Sequence, residues 1–167
     1  FGNSVSVIDA IDYSVTSITV GDVPNSLEVN NGTLFVLCGG KPSWTGSETG
    51  GKLSKINLTN NSVSSIDFSA TSHPSNIEID GSSMFYTIDS DVYKTTVSAT
   101  TLPTASLFST TTQGVYGIYS FAVKNDKIYV GDAADYSSDG KVHIYSTSGV
   151  LKTTKTVGVI PAGFYFN

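Results

Sequence analysis

Apolar and polar residues alternate along most of the chain, in short runs separated by Asn, Asp and Gly. Residues 27–36 show the pattern, with apolar side chains at every second position, an Asn-Gly turn, and then an apolar run. A period of two residues is typical of β-strands, and a short Asn-Gly linker is typical of a tight hairpin. No segment shows a convincing helical period. The pattern predicts an all-β chain.

One hairpin pattern recurs along the sequence. Residues 24–36 and 74–86 share a Pro, alternating apolar positions around a Glu, a polar turn and an apolar-aromatic pair. A third copy covers residues 119–130, and a fourth begins at residue 160. A second strand pair lies between these hairpins, beginning near residues 3, 51, 90 and 140. The sequence therefore predicts a repeat of four antiparallel strands, A and B in the hairpin, then C and D.

The length of the repeat indicates its architecture. Successive starts of the C strand lie 39 to 50 residues apart, which is typical of the four-stranded blades of a β-propeller. The predicted pieces are about 1–20 (strands C and D), 21–68, 69–109, 110–157 and 158–167 (strand A). These amount to about 3.6 blades, whereas a propeller ring normally has about four to eight. We therefore expect a segment of a larger ring, completed by further N-terminal blades or by another chain.

Three segments carry a resemblance to a known repeat. Residues 5–9 read VSVID, residues 15–21 read VTSITVG, and residues 24–29 begin with Pro and alternate. Together they resemble the YVTN-type propeller repeat. This resemblance extends over essentially the whole chain. The namesake tetrapeptide is not retained, because its positions hold FVLC, FYTI and YVGD at residues 35–38, 85–88 and 129–132.

Further details resemble a narrower group, the surface-layer-like propellers of Bacteroides-type gut bacteria. The matching segments are residues 35–40, 129–136 and 161–167. This resemblance implies a propeller fold and a place at the cell surface or in the periplasm. It carries no catalytic motif.

Composition excludes several classes of function. Charged residues are only 14% of the chain, the net charge is −5, and all nine basic residues are Lys. Nucleic-acid binding depends on neutralising phosphates with Lys and Arg, so this balance argues against it. No apolar run reaches the length of a membrane-spanning helix. The single Cys38 follows an apolar run and is predicted to be a buried small side chain.

Two long connections between strands B and C are the candidate ligand-binding segments, because lengthened loops on a rigid scaffold often carry function. The loop at residues 39–51 holds the only Trp. Trp44 would stack on a sugar ring, with Glu48 and Lys41 supplying hydrogen bonds. Alternatively, Trp44 packs back onto its own loop or between blades.

The second loop, residues 131–140, holds Asp132, Asp135, Tyr136 and Asp139. We expect Asp132, Asp135 and Tyr136 to contribute to a ligand site together with Tyr116, which lies on the D-to-A connection at the same face. Calcium prefers oxygen ligands, but Asp also forms turns by accepting hydrogen bonds from its own backbone. No metal site is therefore predicted. No cofactor and no catalytic residue are predicted either.

The sequence leaves three classes of function open. The first is a non-enzymatic propeller that binds a glycan, peptide or protein outside the cytoplasm. The second is a structural component of a surface layer or envelope assembly. The third is a propeller enzyme such as a quinoprotein, which is disfavoured because quinone-binding propellers carry a Trp-containing repeat in each blade and this chain has one Trp.

Overall fold

The computed structural model describes residues 2–166, which form β-strands and two 3-10 helices of three residues each. Phe1 and Asn167, at the outer ends of the predicted pieces 1–20 and 158–167, lie outside the described residues. The strands form one two-stranded sheet and three four-stranded sheets. The prediction of an all-β chain with a four-stranded antiparallel repeat is confirmed.

Each sheet is built from strands that are consecutive in the chain. The half sheet contains β1 (Ser4–Ile8) and β2 (Val15–Thr19). The first sheet contains β3 (Pro24–Asn30), β4 (Thr33–Cys38), β5 (Lys52–Asn57) and β6 (Val63–Asp67). The second contains β7 (Ser75–Asp80), β8 (Ser83–Ile88), β9 (Asp91–Thr96) and β10 (Phe108–Ser109). The third contains β11 (Ser120–Lys124), β12 (Lys127–Asp132), β13 (Lys141–Ser146) and β14 (Leu151–Thr156).

The A–B hairpins close through the turns that the sequence indicates. Asn31 and Gly32 both adopt positive φ angles, 45° and 74°, between the paired residues Asn30 and Thr33. Two consecutive residues with positive φ match the right-handed twist of the flanking strands, and Asn-Gly tolerates that conformation best. Residues 125–126, Asn-Asp, form the same kind of turn in the third sheet.

The chain divides into two compact units, residues 1–77 with 100–102, and residues 78–99 with 103–167. The core of the first unit includes Ile18, Val36, Cys38 and Ile56. Cys38 is fully buried and forms no disulfide, so its predicted role as a buried side chain is confirmed. The core of the second unit consists of Phe85, Val92, Val115, Ile118, Phe121, Val123, Ile128, Val130 and Tyr145.

Two apolar residues of the first sheet remain exposed although the repeat buries their counterparts. Leu27 and Val29 in β3 are 57% and 58% exposed. The equivalent Phe121 and Val123 in β11 are buried. Leu27 also lines a shallow groove together with Val5 of the half sheet. Leu27 and Val29 therefore form an exposed apolar pair on β3, at positions that the third sheet buries.

The structure differs from the predicted strands at two places. Residues 158–166, the described part of the piece 158–167 that is predicted as a fourth A strand, contain no strand. A β-strand is defined by backbone hydrogen bonds to a neighbouring strand, and residues 158–166 form no such ladder. The D strand of the second sheet, β10, is only two residues long. The described residues therefore contain fourteen strands instead of the expected fifteen or so.

Candidate functional site

Two connections meet at one end of the third sheet. β11 and β12 are antiparallel, with Ser120 opposite Gly131, so the beginning of β11 and the end of β12 lie side by side. The backbone N–H of Tyr119 donates to the carbonyl of Gly131 at 3.0 Å and continues this pairing into the loops. The segments before residue 120 and after residue 131 are therefore neighbours.

The incoming loop is anchored so that one tyrosine points outward. Val115 is fully buried and Ile118 nearly so, and both belong to the core of the second unit. Tyr116, between them, is 91% exposed. The backbone N–H of Ile118 also donates to the carbonyl of Asp89 at 3.1 Å. Two buried anchors on either side of an exposed ring hold Tyr116 in place while leaving its face accessible.

The outgoing loop is organised by its aspartates. Asp132 Oδ1 accepts a hydrogen bond from the backbone N–H of Ala134 at 2.9 Å. Asp135 Oδ1 accepts from the backbone N–H groups of Ser137 and Ser138, and its Oδ2 accepts from the Ser138 hydroxyl. These three hydrogen bonds stabilise the ionised carboxylate and hold the pKa of Asp135 well below its usual range. Asp135 thus acts chiefly as a turn former.

Tyr136 is held in a conformation that costs free energy. Its φ angle is 64°, in the left-handed region that is unfavourable for a bulky residue. Its backbone N–H donates to the carbonyl of Ala133, and its ring meets Tyr119 edge-on with centroids 5.7 Å apart. Strained residues that keep an exposed side chain in place cluster at binding sites, which makes Tyr136 a candidate ligand contact.

A cleft of about 350 Å³ lies between the two loops. Its lining includes Tyr116, Asp132, Asp135 and Tyr136, with glycine and alanine backbone between them. We call it the tyrosine–aspartate cleft. The structure thus brings together four of the six predicted site residues. Its lining contains two aromatic faces and two carboxylates but no Lys.

One carboxylate of the cleft lining is buried and lies beside a buried imidazole. Asp132 is 8% exposed and His143 of β13 is 2% exposed. His143 Nε2 lies 3.9 Å from Asp132 Oδ2, beyond hydrogen-bond distance, and has no hydrogen-bond partner. His143 Nδ1 lies 3.0 Å from Thr154 Oγ1. Within the described part of the chain, His143 is the sole ion-pairing partner that Asp132 has.

The repeat contains a signal for Asp132 that the sequence analysis did not use. Asp132 pairs with Lys141 in the same register in which Cys38 pairs with Lys52 and Ile88 pairs with Asp91. The first two sheets place Cys or Ile at this position, and the third places a carboxylate. Departures from a local pattern concentrate at functional or strained sites. His143 and Tyr119 were not among the predicted site residues, although Tyr119 stands where other copies have Pro.

The other two predicted site residues, Trp44 and Glu48, belong to the first unit and to a different loop. Trp44 lies in the 3-10 helix Ser43–Thr45 with its side chain largely exposed. Glu48 Oε1 lies 3.1 Å from His73 Nε2, and His73 Nδ1 lies 2.8 Å from the carbonyl oxygen of Gly39. Both ring nitrogens face oxygen acceptors, so only the protonated ring donates to both.

The polar residues expected to accompany Trp44 are engaged with side chains from outside their loop, Lys41 with Asp22 and Glu48 with His73. Lys41 Nζ lies 3.3 Å from Asp22 Oδ2, which also accepts a hydrogen bond from the Thr49 hydroxyl at 2.9 Å. This hydrogen bond, together with the nearby Lys41 cation, lowers the pKa of Asp22. Lys41 and Glu48 therefore brace the loop at residues 39–51, and the tyrosine–aspartate cleft is the stronger candidate site.

The aspartates of the second loop do not form a metal centre. Within residues 2–166, no group of three His, Cys, Asp or Glu side chains is arranged to hold a metal ion. Asp135 instead directs its oxygens at its own turn. What the cleft offers is stacking on tyrosine, negative charge, and a carboxylate oxygen, Asp132 Oδ2, that is not used by the turn.

Buried His143 predicts a pH dependence of stability. Burial lowers the pKa of His143 below its ordinary value of 6.5, an effect that nearby Lys141 reinforces and Asp132 opposes. The unfolded chain therefore binds a proton at a higher pH than the folded chain. We expect the free energy of unfolding to fall as the pH drops below about 6.5 and on through the folded pKa.

Chemical denaturation of the unaltered chain and of His143→Gln between pH 7.5 and 5 measures this contribution. Because the variant lacks the imidazole, its free energy of unfolding should fall less steeply over that interval, whatever its absolute stability. Parallel pH profiles for the two proteins would contradict the assignment.

Comparison with solved structures identifies the architecture. The β-propeller domain of the Trilobed protease from Pyrococcus furiosus matches with a TM-score of 0.54 and 11% identity, over 81% of this chain and 43% of that one. These sheets are β-propeller blades. The prediction of a propeller segment with three whole blades and part of a fourth is confirmed, while the YVTN-type and Bacteroides-type resemblance stays a prediction.

Two other similar structures cover nearly the whole chain. Kuenenia stuttgartiensis hydrazine synthase matches with a TM-score of 0.66 and 16% identity, over 94% of this chain and 44% of that one. BamB from Moraxella catarrhalis matches with a TM-score of 0.63 and 12% identity, over 99% of this chain and 48% of that one. The chain spans less than half the length of these structures. At such low identity the likeness shows the fold alone.

Sequence comparison adds no family assignment, since no family model and no curated protein matches the chain. Within residues 2–166, the structure contains no helix that is long and apolar enough to cross a bilayer.

Proposed function

We propose that this chain is a non-enzymatic binding propeller, at the bacterial cell surface or in the periplasm, whose ligand occupies the tyrosine–aspartate cleft. The ligand classes considered are a glycan, a peptide and a protein. The observation that carries the proposal is Asp132, a buried carboxylate at a repeat position where the other two blades have Cys38 and Ile88. Beside it stand the exposed rings of Tyr116 and Tyr136.

The composition of the cleft supports binding over catalysis. General acid–base chemistry of the glycosidase type needs two carboxyl groups, one of them protonated, on either side of the substrate bond. Asp135 accepts three hydrogen bonds within its own turn, and its pKa is lowered, so it is unsuited to donating a proton. Asp132 is then left without a second carboxyl group to complete such a pair.

The fold likeness supports neither side, because the similar structures include proteins named as a synthase and a protease as well as BamB, whose name gives no reaction. A place outside the cytoplasm is proposed from the resemblance to surface-layer-like propellers and from the low fraction of charged residues.

An array of glycans, peptides and surface proteins, probed with the unaltered chain, tests this function. We expect saturable retention on at least one ligand class, and loss of that retention in Tyr116→Leu. Tyr165→Leu is the matched control, because Tyr165 is 90% exposed and does not line the cleft. Binding that survives Tyr116→Leu, or an array on which nothing is retained, would contradict the proposal.

A structural role in a surface layer or envelope assembly is the second candidate. It is favoured by Leu27 and Val29, which are exposed in the first blade although the repeat buries their counterparts in the third. Further N-terminal blades or another chain would cover this apolar strand and complete the ring. Self-assembly of the purified chain into sheets, measured by sedimentation and without ligand binding, would support this candidate over the first.

A further inference from the structure

The electrostatics of the tyrosine–aspartate cleft indicate which kind of ligand it takes. Asp132 Oδ1 is used by Ala134, but no residue of the described chain donates a hydrogen bond to Oδ2, and His143 Nε2 lies 3.9 Å from it. A carboxylate that is 8% exposed loses much of its hydration, and buried charges are normally paired. The cleft thus presents an acceptor oxygen with a negative charge, and its sole ion-pairing neighbour in the described chain is the His143 imidazole, whose pKa is lowered by burial.

The walls of the cleft also favour a positively charged ligand. Tyr116 and Tyr136 present aromatic rings, whose faces attract cations, and Asp135 adds a second carboxylate. The oxygens of Asp135 are occupied by Ser137 and Ser138, so it contributes charge without competing for the ligand. Aromatic faces around a carboxylate are the arrangement with which proteins bind ammonium groups.

We propose that the tyrosine–aspartate cleft binds a cationic amine, a lysine side chain of a peptide or protein, with its ammonium group on Asp132 Oδ2 and flanked by Tyr116 and Tyr136. This inference rests on the proposed binding function and names its ligand class. A neutral sugar would also stack on the tyrosines, but it would leave the charge of Asp132 unbalanced. An anionic ligand would be repelled by both carboxylates.

The surroundings of His143 Nε2 are consistent with this assignment. This atom is buried without a hydrogen-bond partner, close to the one carboxylate oxygen that the loop leaves unused. An ammonium group on Asp132 would give that carboxylate the charge partner that the imidazole, beyond hydrogen-bond distance, does not provide. The contacts with the ligand then belong to Asp132 and the two tyrosines.

Three probes distinguish the ligand classes. The first is the pentapeptide Gly-Gly-Lys-Gly-Gly with both ends blocked, so that the lysine amine is its only charge. The second is the same peptide acetylated on the lysine amine, and the third is the neutral disaccharide cellobiose. Each is titrated into the full chain carrying isotope-labelled tyrosine, and the ring resonances are followed by NMR.

We expect the lysine peptide alone to shift the Tyr116 and Tyr136 resonances saturably. Its affinity should fall several-fold when the salt concentration is raised about tenfold, from about 0.05 M to about 0.5 M. Asp132→Asn keeps an oxygen acceptor for Ala134 and should weaken binding by about tenfold or more, because a charge-assisted hydrogen bond is lost. Asp139→Asn removes the same charge from an exposed position of the same loop and should leave affinity within about twofold.

Tyr116→Leu provides a second test that does not touch the buried floor of the cleft. Loss of one cation–π contact should weaken the lysine peptide by about two- to fivefold. Equal shifts with the acetylated peptide or with cellobiose would overturn the cationic assignment while leaving the cleft as a binding site. Failure of the lysine peptide to shift either ring would overturn the assignment as well, and the array result then decides the proposed function separately.

Discussion

Replacing Phe85 with Ala should destabilise the chain more than any surface change, by about 3–5 kcal/mol. Phe85 in β8 is fully buried in the core of the second unit, and the ammonium group of Lys94 lies 5.2 Å from its ring centroid. Truncation removes the ring and leaves a cavity that the surrounding strands fill only in part. The same core holds Val115 and Ile118, so the cavity would also loosen the anchors of Tyr116.

Thermal unfolding measures this effect. For a chain of this size the midpoint should fall by about 6–20 °C. Phe85→Leu keeps most of the apolar volume and should cost less, while Tyr165→Leu, on the surface, should change the free energy of unfolding by no more than about 0.5 kcal/mol. A Phe85→Ala midpoint within the range of the surface variant would show that this cluster is not the core.

Replacing Gly51 or Gly140 with Ala should destabilise the chain by about 1–3 kcal/mol, which is the second-largest effect that we expect. A Cβ atom at Gly51 would lie 2.6 Å from Cγ of Pro74 and 2.9 Å from the carbonyl oxygen of Cys38. A Cβ atom at Gly140 would lie 2.7 Å from Cδ of Pro161 and 2.6 Å from a backbone oxygen. Proline rings and backbone atoms have little freedom to move aside.

The two contacts are the same feature of the repeat. In both, the residue before strand C packs against the Pro that begins the next copy. The second blade has Ser90 where the others have Gly, and the copy that follows has Tyr119 in place of Pro. Within the three four-stranded blades, glycine and proline therefore occur together or are absent together, whereas the half sheet has Asn3 at the glycine position and is followed by Pro24.

Gly163→Ala is the matched control, because a Cβ atom there would meet nothing within 4 Å. Gly51→Ala should also cost less in a Pro74→Ala background, since the ring that it meets is gone, and a double-mutant cycle by chemical denaturation measures this coupling. Equal destabilisation by Gly163→Ala and Gly51→Ala would contradict the packing account.

The fold could be predicted because its signals are local. Alternation within each strand and the Asn31-Gly32 turn fix the first hairpin without reference to distant residues, and the copies repeat this information. Residues 158–166 have the sequence of an A strand but form none, because strand formation depends on backbone pairing with a neighbour and not on the pattern alone. Periodicity contains no information about whether that partner is present.

The site could be predicted in part. Tyr116, Asp132, Asp135 and Tyr136 come together because the B-to-C and D-to-A connections share one end of a blade, which follows from topology. The sequence did not distinguish Asp135, whose oxygens are used by its turn, from Asp132, which has an oxygen to offer. It also missed the contact of Glu48 with His73, 25 residues away, since such pairs depend on how loops fold.

The most direct test of the central claim, that the tyrosine–aspartate cleft binds the ligand, is isothermal titration calorimetry with the ligand that the array retains best. The decisive variant combines Tyr116→Leu with Tyr136→Asn. Asn tolerates the left-handed backbone of residue 136, so relief of strain should offset the lost edge-on contact with Tyr119 and leave the unfolding midpoint nearly unchanged. The account predicts that the double variant binds about tenfold more weakly or worse. Affinity equal to that of the unaltered chain would contradict it.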